Sequence, residues 1–188
     1  MMQKESDKMS ESLVSEQAVP LTLKTAIKTL NDRGHINLRG DPSDASFVEK
    51  CASILGQDLP LVANRMTVAE HHIYWLGPDE WLISCADHLL QSLVHDLESG
   101  LKSFHSSITD LSGGQVVIHL EGHDVRDVLA KGCTLDFHKR EFKPLHCAQS
   151  GMAKAIAVIG KIDDCDKFEV IVRRSFYEYL ISWLKHSI

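Results

Sequence analysis

The chain has 188 residues and a formal net charge of −6. That balance argues against a nucleic-acid or anionic-membrane surface, both of which favour basic patches. An apolar fraction of 44% with 24% charged residues is ordinary for a soluble globular protein, and the length suits one domain or two intimately packed halves.

Residues 1–18 are polar and contain no hydrophobic segment of the kind a secretory signal needs, so a disordered tail is expected there. Residues 19–188 are expected to form a single α+β domain, with halves at about 35–104 and 105–188. No apolar run reaches the length of a membrane span. The five cysteines are odd in number and none shows C-x-x-C spacing, which suits reduced thiols in a cytoplasmic protein. Cys51 and Cys85 fall at apolar positions and are expected to pack as small hydrophobes.

Residues 19–30 fit a strand through Leu21, Leu23, Thr25 and Ile27 or a helix through Ala26, Ile27 and Leu30. Asn31 to Gly34 is a turn signal. Residues 35–59 read as a strand (Ile36, Leu38), a break at Gly40 and a helix burying Phe47, Cys51, Ile54 and Leu55 that Gly56 stops. Residues 59–70, with Pro60 and little periodicity, are expected as a loop. Residues 75–84 (WLGPDEWLIS) read as two strands around a Gly77-Pro78-Asp79 turn. A helix through Leu89, Leu90, Leu93, Val94 and Leu97 follows. Residues 105–120 read as a strand pair with Ser112-Gly113-Gly114 as the hairpin turn. Residues 116–138 repeat the earlier plan: a strand of alternating Ile118 and Leu120, a break at Glu121-Gly122, and a short helix capped by Asp124. Val125, Val128 and Leu129 form its apolar face, and Gly132 ends it. Residues 134–149 are expected as a loop. An apolar strand over 153–162, a turn over 163–167, a strand FEVIV and a helix through Phe176, Leu180, Ile181 and Leu184 close the chain.

INLRG (36–40) and IHLEG (118–122) align residue for residue, 82 positions apart, and Asp79 and Asp166 lie 87 apart. The offset is nearly constant over four elements, so the chain is expected to hold two related βαββα halves with an extra strand between. Tight turns make the strands antiparallel, with helices packed on the sheet, which is an α+β fold. The expected core includes Leu38, Phe47, Leu55, Trp75, Leu82, Leu93, Ile118, Leu129, Val170, Leu180 and Leu184.

Eleven histidines invite a metal reading. Adjacent His71 and His72 point to opposite sides of a strand. His88 and His95 share a helix face but lack further ligands at recognisable spacing, and neither His146-Cys147 nor Cys133 with His138 makes a zinc signature. His119 is expected to face solvent or a partner. Asp163, Asp164 and Asp166 lack the glycine and distal glutamate of a calcium loop and read as a solvated turn. Phosphate loops and nucleophile elbows are absent. Accordingly no catalytic, cofactor-binding or metal-binding residues are assigned on this chain.

Five strings in order resemble one family: WLGPDEWLI (75–83), ITDLSGGQ (108–115), DVLAKGCTLDFH (127–138), FKPLHCAQS (142–150) and RRSFYEYLISWL (173–184). They look like the gamma subunit of heterotetrameric sarcosine oxidase, over most of the chain from Ile36 onward. The resemblance implies a non-catalytic subunit, partnered by alpha, beta and delta subunits, that assists assembly and stability. It implies a complex that demethylates sarcosine oxidatively to glycine, giving hydrogen peroxide and formaldehyde or methylene-tetrahydrofolate. It also implies that FAD, FMN, NAD, tetrahydrofolate and zinc reside on the partner subunits. The implied fold is that of the folate-binding aminomethyltransferases. Their folate-facing carboxylate would fall on the strand AKAIAVIGKI, which has no acid. Lys131-Gly132-Cys133 is similar to the Lys-Gly-Cys motif of folate-dependent iron–sulfur maintenance proteins, but Thr134-Leu135-Asp136 stands where Gly-Gln-Glu should follow.

The alternative is a stand-alone folate-binding aminomethyltransferase-like protein. A third is a protein with a reactive Cys133, which a thiol-labelling pH profile would reveal. For a subunit, the expected docking patches are the sheet face around Val117 and His119 and the loop around Phe137 and Phe142.

Overall fold

The computed structural model describes residues 25–188; the expected tail over 1–18 lies outside them. The first half comprises strands β1 (Thr25–Leu30) and β2 (Arg33–Arg39), helix α1 (Ala45–Leu55), and strands β3 (Met66–Val68), β4 (His72–Gly77) and β5 (Glu80–Ala86). A one-turn 3-10 segment then leads into α2 (Leu90–Gly100). The second comprises β6 (Ser107–Asp110), β7 (Gln115–Gly122), α3 (Val125–Gly132), β8 (Cys147–Met152), β9 (Ala155–Lys161), β10 (Lys167–Arg173), another 3-10 turn and α4 (Tyr177–Ser187). β6 starts 82 residues after β1 (107 − 25), and β7 starts 82 after β2 (115 − 33).

These strands form two five-stranded sheets, ordered β1-β7-β10-β9-β8 and β3-β4-β5-β2-β6, with antiparallel pairing throughout. The leading strand of each half joins the other half's sheet: β1 pairs with β7, and β6 with β2. Ser112-Gly113-Gly114 is therefore a crossover between sheets, not the expected hairpin turn. Its Ser112 Oγ accepts from the His35 backbone N–H at 2.9 Å, which ties the crossover to β2. Residues 25–30 settle as a strand because β7 offers a complete ladder from Thr25↔Gly122 to Leu30↔Val117.

The α+β plan with antiparallel sheets and packed helices holds. Each half carries one more strand than the sequence pattern suggests, because β3 and β8 lie in segments expected as loops. β3 has only three residues, and β8 (CAQSGM) is an edge strand of small residues held by backbone pairing with β9 rather than by side-chain periodicity.

Helix residues supply the outer cores. α1 and α2 cover one sheet through Phe47, Cys51, Leu55, Leu93 and Leu97, and α3 and α4 cover the other through Val125, Val128, Leu129, Leu180 and Leu184. Between the sheets lies a third cluster with Met66, Tyr74, Leu82, Val117, Cys147, Val158 and Ile171. The order of layers is helices, sheet, sheet, helices. Trp75, expected in the core, is only partly buried, whereas Trp81 is fully buried, with its indole N–H donating to Pro60 O at 2.9 Å.

Two helix ends show how local chemistry sets the elements. Gly56 stops α1 as expected, in the left-handed region (φ 67°), and Asp44 caps its start by accepting from Ser46 and Phe47 N–H groups. At α3 the expected cap is different: Asp124 makes no side-chain cap and instead meets His123 Nδ1 at 2.7 Å. Gly132 closes the last turn of α3 because a Cβ there would lie 2.5 Å from the Trp183 ring. Its reason is close helix–helix approach, not a left-handed stop.

The halves meet along a local two-fold. Met66 N–H donates to Leu145 O at 2.9 Å and Cys147 N–H donates to Asn64 O at 3.0 Å, flanking the bridge between Arg65 and His146.

Candidate functional site

Strand alternation gives each sheet two faces. On β2, Ile36 and Leu38 point to the helices, so His35 and Asn37 point to the other sheet. By the same rule Ser84 on β5, His72 and Tyr74 on β4, His119 on β7 and Glu169 on β10 also point inward. Register lines these residues up: Ser84 sits opposite both His35 and His72, and His119 sits between Glu169 and Lys28. Two polar rows thus face each other across the interior.

Glu169 is the junction of the rows. Its Oε2 lies 2.8 Å from His72 Nδ1 and accepts from the Tyr74 hydroxyl. Glu169 is 2% exposed. Burial alone would push its carboxyl up. The hydrogen bond and positive charge from His72, the Tyr74 hydroxyl and the Arg33 guanidinium outweigh that, and the net shift is downward. Tyr74, fully enclosed beside this carboxylate, is pushed well above the ordinary phenol range, first by burial and then by Glu169.

Not every group in the rows is paired. Among the described residues, both ring nitrogens of His35, the Ser84 hydroxyl and His119 Nε2 have no hydrogen-bond partner. Buried polar groups normally have one. His35 is 1% exposed, and burial pushes its imidazole down to about 4. Burial lowers His119 as well. Where β2 and β7 begin, beside the two crossovers, an open cleft of about 260 Å³ is lined by Asn31, Arg33, His35, Gln115 and Arg174.

A second charged group braces the outer layer. Arg126 on α3 meets Asp166 at 2.7 Å, Lys161 lies 3.9 Å from the same carboxylate, and Lys139 reaches it at 3.6 Å. Arg126 also donates to the carbonyls of Phe137 and Phe142 and lies over the Phe168 ring. The turn over 163–167, expected as solvated, is therefore a partly buried ion cluster. Burial tends to raise the Asp166 carboxyl, but the bond to Arg126 and the surrounding cations hold it below the usual range.

The expected positions fall as follows. His72 faces the other sheet, while the His71 backbone N–H is bound by Gln57 Oε1 at 3.1 Å. His88 and His95 are exposed on the outer layer. Among the described residues no group of three or more His, Cys, Asp or Glu is arranged to hold a metal ion. Cys133 is buried at 8% exposure, 3.6 Å from Ser150 Oγ. The residues of the two expected docking patches turn inward: Val117 lies between the sheets, half-buried His119 sits opposite Glu169, and the Phe137 and Phe142 rings meet at a tilt, 5.2 Å apart, within the outer core. Sequence reasoning missed the inward polar rows. Their signal was present in the alternation of β2, β4, β7 and β10, but polar alternation means solvent unless a second sheet covers that face.

The sarcosine oxidase gamma subunit family model matches residues 39–188. The chain belongs to that family. It is 27% identical over 151 residues to the sarcosine oxidase subunit gamma of Corynebacterium sp. (strain U-96), covering 79% of this chain and 72% of that one. Its fold matches a chain of the heterotetrameric sarcosine oxidase from Corynebacterium sp. U-96, solved in complex with pyrrole 2-carboxylate. The TM-score is 0.80 at 25% identity, covering 87% of this chain and 83% of that one. Glycine cleavage system aminomethyltransferase T from Bartonella henselae shares the fold at TM-score 0.62 and 16% identity, covering 84% of this chain and 44% of that one. β9 (AIAVIGK) carries no carboxylate; its charged residue is Lys161, whose ammonium donates to the carbonyls of Asp163 and Cys165.

Proposed function

We propose that this chain is the non-catalytic gamma subunit of a cytoplasmic heterotetrameric sarcosine oxidase, assembled with alpha, beta and delta subunits, and that it assists assembly and stability. The complex would demethylate sarcosine oxidatively to glycine, with hydrogen peroxide and formaldehyde or methylene-tetrahydrofolate as the other products. FAD, FMN, NAD, tetrahydrofolate and zinc would be held by the partners. The observation that carries this reading is the family match over residues 39–188 together with the 0.80 TM-score to a chain of a heterotetrameric oxidase.

The internal chemistry supports the same reading. The ionised and hydrogen-bonding groups at Glu169 and Asp166 are engaged by their neighbours, Tyr74 and His72 in one case and Arg126 in the other. Among the described residues no helix is long and apolar enough to cross a membrane.

Co-expression of the chain with its three companions followed by size-exclusion chromatography tests the proposal. Co-elution in one complex is expected; a chain that never joins the others contradicts it. Calorimetry with tetrahydrofolate on the isolated chain tests the transferase alternative, for which stoichiometric binding would be required.

A further inference from the structure

The cleft beside the crossovers has a composition that packing does not explain. The protein is acidic overall, yet among the described residues two guanidiniums and no carboxylate line this wall. Among the described residues the Arg33 guanidinium has no ion-pair or hydrogen-bond partner, its backbone being paired in the β2–β5 ladder. Arg174 spends Nε and Nη2 on the carbonyls of Gly113 and Gln115, at 2.9 and 3.3 Å, which fixes the group at the rim without neutralising it. His35 is enclosed, lines the same cleft and has two unpartnered ring nitrogens. Asp110 and Glu169 act on this imidazole only through longer-range fields, opposed there by Arg33 and Arg174. Arg33 and Gln115 occupy equivalent positions of the two halves, the first residues of β2 and β7, so the cleft is where the internal repeat has diverged into a basic pair with amide neighbours.

We propose that this cleft is a binding site for a small oxyanion, a carboxylate or phosphate, held between the Arg33 and Arg174 guanidiniums above the enclosed His35 ring. Guanidinium groups match planar carboxylates and phosphates through paired N–H donors. A volume of about 260 Å³ equals that of roughly nine water molecules, which is room enough for a short carboxylate or phosphate. The site is independent of the chain's place in an oxidase.

Titration of the full-length chain with inorganic phosphate and, separately, with malonate, at matched chloride and monitored through histidine ring NMR signals and calorimetry, tests the site. Saturable binding of at least one probe is expected, with the His35 signal moving at the same midpoint. Phosphate alone assigns a tetrahedral anion, and malonate alone assigns a carboxylate. Arg33→Gln and Arg174→Gln should each weaken binding by about tenfold or more, whereas Arg39→Gln, on the other end of β2, should not. Bound anion should also raise the His35 titration midpoint, which a merely structural cleft would not do. Arg33→Lys and Arg174→Lys keep the charge and should bind with intermediate strength, which separates lost recognition from lost folding. Absence of saturable binding by either probe, or binding unchanged in both Gln variants, would overturn the proposal. Variants that alter only assembly with partner subunits would do so too, and would assign the cleft to a protein carboxylate.

Discussion

Glu169 on β10, in the second half of the chain, reaches His72 on β4, in the first, at 2.8 Å across the space between the two sheets. The same oxygen accepts from Tyr74, so one carboxylate ties two residues of the facing sheet. Replacing it by alanine leaves an imidazole and a phenol buried without a partner. Glu169→Ala should cost about 3 kcal/mol, the usual order for breaking a buried pair. Glu169→Gln, which keeps an acceptor for Tyr74, should cost less. Urea unfolding of the three proteins at pH 7 measures the difference.

Acid should loosen the same interior. Burial pushes the His35 imidazole from its ordinary 6.5 down to about 4 in the folded chain, so the unfolded chain binds more protons between those values. The stability is fully present above the unfolded value and falls as pH drops towards the folded one. The full shift corresponds to about 3 kcal/mol. His71 and His119 are also lowered, chiefly by burial, and act in the same direction. Glu169, whose carboxyl is depressed, adds a further loss below the ordinary glutamate range of 4.5. The stability difference between pH 7 and pH 5 should shrink in His35→Leu relative to the parent chain.

At Gly132 two effects oppose each other. Alanine is the better helix former by up to about 1 kcal/mol. Its Cβ, however, would stand 2.5 Å from the Trp183 ring. Gly132→Ala should therefore destabilise in spite of propensity, and Trp183→Leu should remove the penalty. A double-mutant cycle by thermal unfolding checks the coupling.

Asp166 is held by Arg126 with side chains only 15% and 11% exposed. Asp166→Ala leaves Arg126 and the buried Lys161 ammonium without their shared carboxylate and should cost about 3 kcal/mol. Hydrogen exchange should show the loss first in α3 and in the turn between β9 and β10.

Much of this architecture was legible. Phe47, Cys51 and Leu55 marked the buried face of α1, and the match of INLRG to IHLEG announced the repeat. What was hidden followed from one unseen fact, that a second sheet covers the face opposite the helices. His119, Glu169 and His35 alternate with apolar residues, and such a pattern ordinarily marks a solvent face. Covered by the other sheet, it becomes an interior polar row. β8 was hidden for another reason: CAQSGM has little strand propensity and is placed by pairing. The swap of β1 and β6 between halves could not be seen either, because a short crossover such as Ser112-Gly113-Gly114 has the composition of a hairpin turn.

The proposed role of this chain is to hold a larger enzyme together rather than to perform chemistry in it. Its most direct test is sarcosine-dependent peroxide production, per flavin, by the oxidase assembled with and without this chain, followed through heating. The account predicts a complex that forms poorly or loses activity sooner when the chain is omitted. An oxidase of full size, full turnover and unchanged heat resistance in its absence would contradict it.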